Sequence, residues 1–231
     1  MTVAQTAQTA RTRTTGQTGQ TGLGSRDRDW AQLASLAWSG PPEALAARVR
    51  QILGRDESGL GDLLEFVLQY AVYAGWPRGS ELEGVVRCQW ALHCRDTGTD
   101  PASWPAPGAI SLDRESRDER LRAGEETFRA VNRSEAPPRG SPFVEAGMLG
   151  FVFGQVWRRP GLTTRERRIV AIIVCAAAGA VHPLRHHVRS ALASADLSAA
   201  DLRDLLTEVE GRVPAPAAAV LRDGSGPHPP R

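Results

Sequence analysis

A shift of 139 residues, the step from Gly22 to Gly161, lays one part of this chain over another without a gap. Gly22, Leu23, Arg26 and Arg28 fall on Gly161, Leu162, Arg165 and Arg167. Ala37 and Gly40 fall on Ala176 and Gly179, and Leu45, Val49, Arg50 and Leu53 fall on Leu184, Val188, Arg189 and Leu192. Apolar matches four residues apart follow one helix face. Ala-rich helices meeting by chance would not also align Gly-Leu-x-x-Arg-x-Arg and the glycine that follows. Self-similarity at a fixed shift marks a supersecondary unit used twice. The expected architecture is therefore two related helical units packed together.

Each unit reads as helix, glycine break, helix, short loop, helix. In the first unit the pattern predicts helices over 25–39, 42–53 and 61–74, with Pro42 at a helix start, where its missing N–H costs nothing. Gly75-Trp76-Pro77 stops the third, and a further helix is expected over 80–93. Three prolines between Arg95 and Gly108, with Gly and Asp, suggest a linker. A charged helix is expected over 113–131, then a markedly apolar one from Phe143 to Trp157. Thr163 or Thr164 caps the helix of Arg165 with Glu166 in its first turn, and Ser198 with Asp201 opens the last helix. No stretch alternates with period two, so the fold class is all-α. The domain expectation is a disordered tail over 1–20, a first unit over 21–95, a linker over 96–112, a second unit over 113–215 and a flexible tail over 216–231.

Composition narrows the function classes. The chain holds no Lys, and its 28 Arg face 26 Asp and Glu. That balance gives no strong field for nucleic acid or anionic lipid. The longest apolar run, 169–181, is too short to span a bilayer. The polar N-terminus has no signal-peptide core, and Cys88, Cys94 and Cys175 form no C-x-x-C pair. A cytoplasmic, reduced protein is expected, with neither nucleic acid nor membrane as a partner and no metal site.

Three stretches carry a resemblance. They are Phe153-Gly-Gln-Val-Trp-Arg-Arg-Pro-Gly-Leu162 with Arg165 and Arg167, Leu184-Arg-His-His-Val-Arg-Ser-Ala-Leu192, and Leu68-Gln-Tyr-Ala-Val-Tyr-Ala-Gly-Trp-Pro77. Together with Arg120–Gly124 they resemble the carboxymuconolactone decarboxylase family of the AhpD-like superfamily. A whole family domain is matched over about 113–213, and 21–90 looks like a second copy without the opening helices. The resemblance implies an AhpD-like helical fold that oligomerises as a dimer, trimer or hexamer, with clefts near subunit contacts. It also implies a small-molecule substrate and loss of CO2 from a carboxylated lactone without metal or organic cofactor. The peroxidase branch carries Cys-x-x-Cys at the positions of Ala180 and Pro183, so thiol peroxidase chemistry lacks both its nucleophile and its resolving thiol. The family's Glu is Gln155 here. The family His is kept at His187, whereas its counterpart in the first unit is Arg48. Complementary losses of this kind suggest one composite site drawing on both units.

The residues support roles within that frame. His187 suits proton transfer near neutral pH, or else is a core histidine satisfied by a hydrogen bond. Arg48 offers a planar fork for a carboxylate, or else snorkels along a helix edge. Tyr73, Gln155, Trp157, Arg159 and His186 complete the candidate substrate-binding set. Core packing is the plainer role for Tyr73 and Trp157, and a surface position for His186. His182 and His186, four residues apart, lack a third ligand for zinc. The expected function is a cofactor-free lyase or isomerase. It would act by acid–base chemistry on a small organic acid, lactone or polyketide-like intermediate of specialised metabolism, by decarboxylation, isomerisation or cyclisation. The alternative is a catalytically inactive ligand-binding or structural oligomer.

Overall fold

The computed structural model describes residues 22–55, 59–104 and 111–224. The expected tail over 1–20 lies outside the described residues, as does part of the expected linker. The fold is all-α, and the described residues contain no strand. Its elements in chain order are α1 (Ser25–Ser39), α2 (Pro42–Leu53), α3 (Gly59–Ala74), α4 (Trp76–Thr97), α5 (Arg117–Asn132), a π-helix (Phe143–Phe153), α6 (Thr164–Ala177), α7 (Val181–Ala193), α8 (Ala199–Glu208) and α9 (Ala215–Asp223). Short 3-10 turns occupy Pro101–Ser103, Ser111–Arg114 and Val156–Arg158.

Helix α6 is the centre. Every residue from Glu166 to Ala176 is buried, as expected of a helix that is apolar on all sides along its later turns. It packs against α1, α3 and α7, and α9 touches it as well. Two arginines, Arg167 and Arg168, are fully buried in its first half. Buried charge is tolerated only when paired and hydrogen-bonded. Arg167 donates to Gln69 Oε1 at 3.2 Å and to the Arg159 carbonyl at 2.8 Å. Arg168 donates to Asp196 at 2.6 Å and to the Val131 carbonyl.

The packing of α1 on α6 is reciprocal. Arg26 of α1 pairs with Glu166 of α6, and Arg165 of α6 pairs with Asp27 of α1 at 3.0 Å. Arg26 also pairs with Asp62 of α3 at 2.7 Å, and Arg165 with Asp201 of α8 at 3.1 Å. Asp27 and Glu166 each accept from the backbone N–H three residues earlier, that of Gly24 and that of Thr163. Gly22 and Gly161, which open the two stretches, both have positive φ, 106° and 94°.

Two elements differ from the sequence expectation. The stretch 143–157 is not one α-helix: it winds as a π-helix to Phe153 and ends in a 3-10 turn. Its faces are apolar all round, so no 3.6-residue period distinguished one winding from the other. Gly124 of α5 lets the π-helix backbone approach, since a Cβ there would lie well inside contact distance of the Leu149 carbonyl. The second difference is the C-terminal segment. The expected flexible tail over 216–231 instead begins with α9, where Ala217, Val220 and Leu221 are buried against α7 and α8. Their spacing is that of one helix face, and prolines in the first turn do not obstruct a helix. Burying Val220 and Leu221 contributes roughly 1.5–3 kcal/mol each. Smaller differences are the longer α4, which begins at Trp76, and a start of α3 at Gly59.

Candidate functional site

A cleft of about 520 Å³ opens between α5, the π-helix and α7, with the end of α3 forming its floor. Phe128, Phe143, Met148, Val152 and Phe153 make most of its wall. Polar groups enter from three sides: Tyr73 from α3, Asn132 from α5, and His182, His186 and His187 from α7. A mostly apolar hollow with a few convergent polar groups is the usual form of a small-molecule site.

His187 sits at the back. Its ring is parallel to that of Trp157, interplanar angle 8° and centroids 6.4 Å apart. The ring of Tyr73 meets it edge-on at 5.4 Å. Its Nδ1 is buried with no hydrogen-bond partner. Burial, reinforced by the positive charges of His186 and Arg168, pulls its pKa down to about 3. At neutral pH the imidazole is therefore uncharged, with one nitrogen a donor and the other an acceptor. Tyr73 Oη accepts a hydrogen bond from Trp157 Nε1 at 3.0 Å. Its own O–H is free to donate, and burial holds the phenol protonated far above its ordinary range. The fixed positive charge of Arg168 acts on both groups, and that of Arg167 on Tyr73 as well, which favours negative charge at the floor.

The sequence-predicted residues divide into two groups. His187, His186, Tyr73 and Trp157 come together in or directly behind the cleft. Arg48, Gln155 and Arg159 do not. Arg48 pairs with Asp29 at 3.0 Å and donates to Gln32. Arg159 is held by both carboxylate oxygens of Glu65, at 2.6 and 2.9 Å. Gln155 lies in a separate depression, where its amide oxygen, turned to the guanidinium, accepts from Arg120 at 3.1 Å. Residues that the sequence did not single out for the site are Asn132 and Phe128 on α5 and Met148 and Val152 on the π-helix. Phe128, Met148 and Val152 signalled only membership of an apolar face, which core residues share, and Asn132 gave no signal. Cys175 is buried, and its thiol is pushed up to about 12 by desolvation, so it remains protonated. Among the described residues no group of three or more His, Cys, Asp or Glu is placed to hold a metal ion, and no helix is long and apolar enough to cross a membrane.

Fold and cleft together describe an all-helical protein with a mostly apolar cleft that a neutral imidazole and a phenol reach. Residues 142–222 match the Carboxymuconolactone decarboxylase family. The match supplies the π-helix, α6, α7, α8 and nearly all of α9, whereas Tyr73 and α5 come from outside it. No curated protein matches the chain.

Proposed function

We propose that the cleft is the active site of an acid–base enzyme of the lyase or isomerase type, acting on a small, largely apolar carbonyl compound. The observation that carries this reading is the pairing of an uncharged, unpartnered His187 with a Tyr73 hydroxyl whose oxygen already accepts from Trp157. A phenol that accepts one hydrogen bond donates more strongly in return. Tyr73 is thus suited to donate to a carbonyl oxygen and to hold the oxyanion as the carbonyl becomes an enolate. His187 then moves the proton at the neighbouring carbon.

The depressed basicity of His187 fits a role that begins only when ligand is bound. Imidazolium is disfavoured in the empty cleft, but a developing enolate beside it supplies the missing counter-charge. Protonation of the ring and ionisation of the substrate are then mutually stabilising. In a decarboxylation the substrate enters as the neutral acid: His187 takes the carboxyl proton, CO2 leaves as Tyr73 holds the enolate oxygen, and the imidazolium then gives that proton to carbon. In an isomerisation it would take a proton from one carbon and give it to another. Apolar walls raise the strength of every such interaction by excluding water.

The test is a panel of β-keto acids, carboxylated lactones and cyclic ketones in D2O, followed for CO2 release and deuterium uptake at the α-carbon. A responsive compound should lose turnover by roughly 10²–10⁴-fold in His187→Gln, with a further large loss in Tyr73→Phe. Equal rates in wild type and both variants would overturn the assignment. The low imidazole pKa equally favours a binding protein without turnover. That rival predicts compounds that bind in the cleft yet exchange no proton.

A further inference from the structure

We infer that the chain is an internal dimer: two related helical units about a pseudo-two-fold axis, one completing the cleft of the other, with the catalytic-type pair of that cleft replaced by engaged arginines at the symmetry-related position. Reciprocity is the mark of an isologous contact, in which residue i of one partner meets j of the other and j meets i. Under the 139-residue shift, Arg26–Glu166 becomes Arg165–Asp27, and both pairs form. Arg26–Asp62 becomes Arg165–Asp201, and both form. Arg28–Glu208 becomes Arg167–Gln69, at 3.2 Å in each case. A Cβ on Gly22 would meet Asp204, and one on Gly161 would meet Glu65, the shifted equivalent. Helix starts agree as well: α1 and α2 shifted begin at α6 and α7, and α3 shifted begins one residue before α8.

The same shift carries His187 onto Arg48 and Tyr73 onto Arg212. In the kept site a phenol of the first unit crosses to an imidazole of the second. At the other site the arginines are engaged elsewhere: Arg48 with Asp29 and Gln32, Arg212 with Ser35. Asp29 itself stands where the second unit has Arg168, so the charge behind that site is inverted as well. Gln32 is held in turn by Glu208 at 2.5 Å, which closes a polar mesh across the two units. Among the described residues, the imidazole–phenol pair therefore occurs at one of the two related positions, in a cleft completed within one chain. Only this last statement rests on the cleft being the ligand site.

Two measurements on the full chain test the inference. Double-mutant cycles compare Arg26→Met with Glu166→Gln, and Arg165→Met with Asp27→Asn. Each pair should couple by about tenfold in the unfolding equilibrium constant, and the two should agree within about threefold. One coupled pair beside one uncoupled pair overturns the two-fold relation. Titration of wild type with anilinonaphthalene sulfonate should give one dye per chain, with affinity at least about tenfold weaker in Val152→Trp, which fills the cleft. Two dyes per chain, none, or an unaltered affinity in Val152→Trp overturns the single-cleft arrangement. Neither readout depends on turnover, so failure of the acid–base reading leaves both intact.

Discussion

His187 should make the protein acid-sensitive in a way that one substitution removes. Its pKa falls from an ordinary 6.5 to about 3 because the ring is buried beside His186 and Arg168. Between those values the unfolded chain takes up a proton at this residue and the native chain does not. The contribution to stability is therefore full above about pH 6.5 and is lost as pH falls toward about 3. At pH 4 the loss amounts to about 3 kcal/mol, some two and a half pH units at about 1.4 kcal/mol each. His187→Gln keeps a polar planar side chain but cannot titrate. Urea unfolding of both proteins at pH 7, 5.5 and 4 isolates the effect. Carboxylates such as Glu166 and Asp201, whose pKa values lie below the ordinary range, weaken both proteins alike and cancel in the difference. The stability gap between wild type and variant should move by about 3 kcal/mol in favour of the variant between pH 7 and pH 4. A gap that stays constant across this range would show that the imidazole is solvated, and the account of the floor would fail.

Three further perturbations follow from the packing. Trp157→Phe removes the donor to Tyr73 Oη; it should cost about 1 kcal/mol of stability and slow any turnover several-fold, while a variant equal to wild type in both would show that the indole N–H does not set the phenol. Gly124→Ala thrusts a methyl against the Leu149 carbonyl; a loss of about 2–4 kcal/mol in denaturant unfolding is expected, and an unchanged midpoint would disprove the close approach of α5 to the π-helix. Leu221→Ala should cost about 2–4 kcal/mol because that side chain is fully buried; a loss below about 0.5 kcal/mol, the range of surface substitutions, would return the segment to a loose tail.

Much of the fold was written in short-range signals. The boundaries of α1 and α2 follow from Gly40 and from Pro42 at a helix start, and those of α6 and α8 from the capping boxes of Thr163 with Glu166 and Ser198 with Asp201. Such signals act over three or four residues and need no knowledge of the partner helix. The winding of 143–153 was not legible, because Gly124 and the carbonyl it admits are a tertiary fact. The same holds for the site. His187 and Tyr73 could be named from residue type and resemblance, but the positions of Arg48 and Arg159 depended on which carboxylates, Asp29 and Glu65, lay within reach. A guanidinium goes to the nearest buried carboxylate, and the sequence does not print that distance. Asn132 and Val152 became cleft residues through the course of the π-helix alone.

The placement of the arginines bears on the ligand. A preformed carboxylate buried among Phe128, Met148 and Phe153 would need a cation in direct contact, since an unpaired charge in apolar surroundings is strongly disfavoured. The cleft lining contains no arginine, and Arg168 behind it is committed to Asp196 and two further oxygens. Its Nη1 is buried without a partner, and its charge acts on the floor from behind Tyr73 and His187. Charge that develops during reaction, spread over an enolate and held by one phenol, needs less than a localised carboxylate does. On the acid–base reading a ligand therefore places its apolar body along the π-helix and its carbonyl at Tyr73. Any carboxylate it carries stays at the mouth, near His182 and His186, where water remains in reach. A purely aliphatic diacid could seat one carboxylate at the mouth but would leave the other unpaired among the apolar walls.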